Sequence, residues 1–135
     1  MFSKSDNAML KDILIDPHFP NCPVRNILAR ISDRWSMLIL LTLDNGGTSM
    51  RYSEIAAKIP DISQKMLTVA LRNLNADGLV SRHAYAEIPP RVEYALTERG
   101  ISLVPHINNL VEWAMSNLND ILNDRKEYAK RKLDK

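Results

Sequence analysis

Two short helical segments separated by Pro60-Asp61-Ile62 constrain this chain more than any other feature. The first, EIAAKI, follows Ser53 as its expected cap and stops at Pro60, which cannot continue a helix. The second, QKMLTVALRNLNA, follows Ser63 as its cap and ends at Asp77-Gly78. Gly78 there is expected to take the left-handed C-terminal turn. Next come LVSRHAYAEI and RVEYAL on either side of Pro89-Pro90. Both alternate in part and are rich in Val, Tyr, Ile and Leu, which predicts a β-hairpin.

Two helices joined by a tight turn, with a hairpin directly after the second, make a winged helix-turn-helix. The fold expected is mainly α with a small β-hairpin wing and helices added at both ends. Pro23 opens a helix running to about Ile31, since proline suits the first helical position. Asp33 caps the next helix, whose WSMLILLTL run is apolar nearly all round and should be central and buried. Met50-Arg51-Tyr52 reads as a short extended link. Thr97 caps a last helical region whose long part begins near Pro105 and reaches about Lys130. The expected division is an N-terminal arm over residues 1–21 and a single domain over 22–135. Within that domain, about 34–98 is the DNA-binding core and about 102–130 the dimerisation helix.

Composition excludes several function classes. No stretch is long and apolar enough to span a bilayer, and the N-terminus lacks the order of a signal peptide, so a cytoplasmic protein without membrane partners is expected. One cysteine makes a disulfide framework impossible within the chain and a thiolate zinc site improbable. His18, His83 and His106 lie far apart, so no metal is expected, and no cofactor. There is no nucleophile-base pair or phosphate loop, so the chain does not read as an enzyme. A net charge of +2 is too small to argue for nucleic acid by itself, so local clustering has to carry that argument.

The clustering lies on the second helix of the pair. Leu67, Ala70, Leu71 and Leu74 should face inward, leaving Gln64, Lys65, Thr68, Arg72 and Asn73 outside. No acid occurs between Ser63 and Ala76, although Asp61 and Asp77 flank the segment. Such a face can approach phosphate-lined DNA without repulsion. Gln64, Lys65 and Thr68, near the helix start, are the expected base readers, and Arg72 a phosphate contact. Arg82, His83 and Arg91 stand on the hairpin, where arginine can enter a minor groove or hold phosphate, with Glu87 the acid between them. Arg51 and Ser53 are further phosphate candidates. A merely solvated polar face, or a winged helix that binds protein without an operator, is the competing reading. Salt-dependent duplex affinity separates them.

In the last helix, Val104, Ile107, Val111, Ala114, Leu118 and Ile121 are spaced 3, 4, 3, 4, 3. That is a heptad seam, expected to pair with the same helix of a second subunit. Leu103, Leu110, Trp113 and Leu122 widen the apolar face. A homodimer would present two recognition helices to major grooves about 34 Å apart on an inverted-repeat operator.

The runs CPVRNILARISDRWSMLILLTL, RYSEIAAKIPDISQKMLTVALRNLNADGLVSR and PPRVEYALTERG resemble the HxlR-type regulators, relatives of the MarR winged-helix group, over roughly Cys22 to Trp113. The resemblance implies a bacterial or archaeal dimeric transcription factor whose terminal helices form the interface. It implies DNA contact by Ser63, Gln64, Lys65, Thr68 and Arg72, and wing contact by Arg91. It also implies a sensing role for Cys22, as some members carry a reactive cysteine just before the first helix. The physical chemistry is compatible, because a helix N-terminus and nearby Arg25 both favour thiolate. The competing reading of Cys22 is a small buried residue at a helix start.

Overall fold

The structure, a computed structural model, describes residues 23–133. The expected N-terminal arm and Cys22 therefore lie outside the described residues. The elements in order are α1 (Pro23–Ile31), α2 (Arg34–Asn45), β1 (Met50–Arg51), α3 (Tyr52–Lys58), α4 (Gln64–Ala76), β2 (Val80–Tyr85), β3 (Arg91–Leu96) and α5 (Glu98–Leu133). This is the winged helix-turn-helix architecture.

Local chemistry explains most boundaries. Asp33 accepts from the Trp35 and Ser36 backbone N–H groups at 3.0 and 2.6 Å, which starts α2. Ser63 Oγ accepts from Met66 N at 3.1 Å and starts α4. At the other end of α4, Leu79 N–H bonds the Leu74 carbonyl and Gly78 N–H bonds that of Asn75. Those two bonds form a Schellman turn, with Gly78 at φ +74° as its left-handed residue. Thr97 Oγ1 accepts from Gly100 N at 3.1 Å and starts α5.

The central helix α2 buries Ser36, Ile39, Leu40 and Leu43. Ile55 of α3 and Leu67, Ala70, Leu71 and Leu74 of α4 close on it, with Leu79 and Val80 at the entry to the wing. This single cluster orients α4, because the inward stripe leaves only one way for the helix to lie.

Three expectations need correction. Met50-Arg51 is a strand rather than a plain link. It pairs antiparallel with β3, Met50 opposite Tyr94 and Arg51 opposite Glu93, giving a three-stranded sheet in the order β1-β3-β2. A two-residue strand carries too little pattern to be seen in sequence. Ser53 does not cap α3, which begins two residues earlier than expected, at Tyr52, with Arg51 at the cap position. Glu54 Oε1 reaches back to accept from the Arg51 N–H at 2.9 Å, supplying the carboxylate arm of a capping box.

The third correction concerns the heptad seam. Val104 and Ile107 are only 5% and 3% exposed, so they belong to the core of their own domain and are unavailable to a partner subunit. The base of α5 packs on α2 and β3, and Val104 and Ile107 are among its buried residues. The remaining seam residues Val111, Ala114 and Leu118 are exposed or half-exposed, and Ile121 is half-buried. The helix is continuous through Pro105. Ile101, whose carbonyl loses its donor there, is exposed, so water can satisfy it. Among the described residues no helix is long and apolar enough to cross a membrane.

Candidate nucleic-acid interface

The α4 surface divides as the periodicity demands. Gln64, Lys65, Thr68 and Arg72 are exposed along one side, while Leu67, Ala70, Leu71 and Leu74 are buried on the other. Asn73, expected among the outward residues, is half-buried, and its carbonyl accepts from Arg30 Nη2 at 3.3 Å. Met66 is exposed on the outward half as well.

The two acids that flank α4 are both ion-paired. Arg34 Nη2 lies 3.2 Å from Asp61 Oδ2 beside the turn. Arg30 Nε lies 2.7 Å from Asp77 Oδ2 at the far end. Helices α1 and α2 thus place a cation against each carboxylate, which lowers the repulsion that a polyanion approaching α4 would meet. Sequence reasoning missed both pairs, since their partners lie 27 and 47 residues away.

Tyr52 was also missed. Its hydroxyl donates to the Gln64 carbonyl at 3.0 Å and lies 3.2 Å from Thr68 Oγ1. It thereby fastens the first turn of α4 to the start of α3. Arg51 and Ser53 flank Tyr52 in sequence and are exposed. A lone tyrosine in a short link gives no sequence signal for this role.

The wing brings a second cation to α4. Thr68, Leu71, Arg72, Asn75, Arg82 and Tyr94 line a cleft of about 330 Å³ between α4 and the sheet. Asn75 Nδ2 donates to the Val80 carbonyl at 2.8 Å and joins the helix to β2. Arg72 and Arg82, ten positions apart in sequence, therefore share one cleft.

Arg91 sits differently from expectation. Its Cζ stacks 3.9 Å from the Tyr85 ring centroid. Its Nη2 lies 3.2 Å from Glu87 Oε1 and its Nε 3.6 Å from Glu93 Oε1. Glu93 also accepts from Ser49 Oγ at 3.0 Å. The guanidinium is enclosed by the wing's own aromatic and carboxylate groups, so a phosphate would have to compete with two carboxylates for it. Glu93 lies two residues beyond Arg91 on the same strand, so the two side chains share one face of the sheet, a signal that the period of two in RVEYAL carries. Arg82, by contrast, is exposed on β2 opposite Tyr94.

A family model described as HxlR-like helix-turn-helix matches residues 30–122. The chain belongs to the HxlR-like helix-turn-helix family. An HTH-type transcriptional regulator of Methanothermobacter thermautotrophicus is 47% identical over 92 residues, covering 68% of this chain and 69% of that protein. The solved structure of the putative transcriptional regulator ytfH from Salmonella typhimurium superposes with a TM-score of 0.71 at 36% identity, covering 78% of this chain and 93% of the other. The redox regulator HypR in its reduced form superposes at 0.66 with 39% identity, covering 76% and 98%. HxlR-like relatives thus occur in both archaea and bacteria, and they are named transcriptional regulators.

Proposed function

We propose that this HxlR-like protein is a homodimeric transcriptional regulator that binds an inverted-repeat operator in duplex DNA. The observation that carries this reading is the acid-free outward face of α4. Gln64, Lys65 and Thr68 are exposed near its start, and Arg72 shares a cleft with Arg82 of the wing. Amide, ammonium and hydroxyl groups on the first turns of a helix suit base edges in a major groove. Arg72, Arg82, Arg51 and Ser53 are the phosphate-holding groups of this reading, with Ser63 at the helix start.

The second subunit is argued from α5. Beyond Ile107 the helix presents Leu110, Val111, Trp113, Met115, Leu118 and Leu122 with large exposed areas. A run of that size needs cover, and self-association about a two-fold axis supplies it and spaces two α4 helices for a symmetric site.

Selection from a random duplex library at near-physiological salt tests the proposal. An enriched inverted repeat, with half-sites about one helical turn apart, is the expected result. Affinity should fall steeply as salt rises, because bound phosphates release counterions. A folded dimer that enriches no motif and shows no salt slope would overturn the reading in favour of a protein-binding winged helix.

Thiol chemistry at Cys22 extends the proposal, supported by the likeness to the redox regulator HypR. With one cysteine per chain, oxidation leads to a sulfenic acid, a mixed disulfide or a bridge between subunits. Cys22→Ser should abolish any response of operator affinity to a thiol oxidant. A response that persists removes Cys22 from the mechanism.

A further inference from the structure

Tyr52 and Thr68 form a hydrogen-bond chain whose direction can be worked out. The Tyr52 hydroxyl lies 3.0 Å from the Gln64 carbonyl oxygen and 3.2 Å from Thr68 Oγ1. A carbonyl oxygen only accepts, so the single phenolic proton is committed to Gln64. With both contacts made at once as hydrogen bonds, the Tyr52 oxygen accepts and Thr68 donates in that pair. A threonine hydroxyl also has one proton. Once it is turned towards Tyr52, Thr68 presents only an acceptor oxygen and a methyl group to its surroundings.

Thr68 is exposed, on the same side of α4 as Gln64 and Lys65. The major-groove edges of the bases respond differently to such a group. Adenine N6 and cytosine N4 carry amino groups, whereas guanine offers only the acceptors N7 and O6. A freely rotating hydroxyl accommodates either kind of edge. An acceptor-only hydroxyl bonds an amino group and sets lone pair against lone pair at guanine.

We propose that Tyr52 is a positioning residue for base specificity: by taking the Thr68 proton, it makes Thr68 a reader of amino-bearing base edges that rejects guanine. The inference rests on the operator reading above. It concerns one base-pair position in each half-site, and Tyr52 acts there without touching DNA.

The test is parallel library selection with the wild type, Tyr52→Phe, Thr68→Val and the double variant, with thermal melting as a control on folding. Tyr52→Phe keeps the ring and returns the proton to Thr68. Guanine should then rise about threefold to tenfold at one position per half-site, the range expected for a single hydrogen bond, with the other positions unchanged. Thr68→Val removes the hydroxyl at nearly constant shape and should lose the amino-edge preference at that same position. Adding Tyr52→Phe to Thr68→Val should change nothing more, because the two residues act through one bond. A wild-type motif that Tyr52→Phe leaves unaltered overturns the inference alone. So does a parallel weakening at every position, which would make the tyrosine only a brace for the helix. A wild type that enriches no motif overturns the operator reading, and this inference with it.

Discussion

Helices α4 and α5 both carry an apolar stripe, but among the described residues only that of α4 is fully covered. Leu67, Ala70, Leu71 and Leu74 are all buried against α2, α3 and the sheet. On α5 the covering stops at Ile107, and Trp113 and Leu118 remain 61% and 50% exposed. The difference separates two tasks. One subunit is sufficient to hold α4 rigid with its polar side outward. The distal part of α5 can contribute stability only once something else covers it, and in the proposed assembly that is a second copy.

The sharpest way to break this comparison is to open a cavity under α4. Leu71→Ala should cost about 2–5 kcal/mol, seen as a lower urea midpoint with little change in slope. The matching change on α5, Trp113→Ala, should leave the subunit folded while weakening self-association by about 2 kcal/mol or more, as for a central aromatic anchor. Sedimentation at a series of concentrations reads this directly. If Trp113→Ala lowers the urea midpoint of the subunit as Leu71→Ala does and leaves self-association unchanged, the two stripes do not differ as described.

Gly100 sits where the two regions meet. A Cβ there would collide with the Leu79 carbonyl oxygen, a backbone atom just beyond the α4 Schellman turn. Gly100→Ala should therefore destabilise by about 1–3 kcal/mol, although alanine is ordinarily the better helix former. Thermal melting checks the sign. The smallest effects concern the groups proposed to meet DNA. Arg72→Ala, the loss of a phosphate contact, should weaken binding about equally across sequences and reduce the salt slope by about one. Arg91→Ala should change the salt slope less than Arg72→Ala, because Glu87 and Glu93 already offset its charge. Equal slopes for the two variants would mean that Arg91 leaves its carboxylates on binding.

Much of the helix-turn-helix unit is legible in the amino-acid order. Ser63, Gly78, Thr97 and Asp33 act locally, within a few residues of the groups they satisfy, and their positions alone announce helix ends. The two faces of α4 follow from a period that a single helix determines. The less legible features all depend on distant partners. Arg30 and Arg34 meet Asp77 and Asp61 only after α1 and α2 have docked. Tyr52 gains its role only when α3 turns against α4.

By itself, the amino-acid order determined the winged helix-turn-helix plan and the polar side of α4, because caps, prolines, glycines and periodicity act over short range. Only the tertiary structure decided how the heptad seam of α5 is shared. Val104 and Ile107 have the same spacing and chemistry as Val111 and Leu118, and nothing in the pattern separates them. What separates them is where the surface of the domain ends along α5: among the described residues, Val104 and Ile107 lie below that level and are buried, whereas Val111 and Leu118 lie above it and stay exposed.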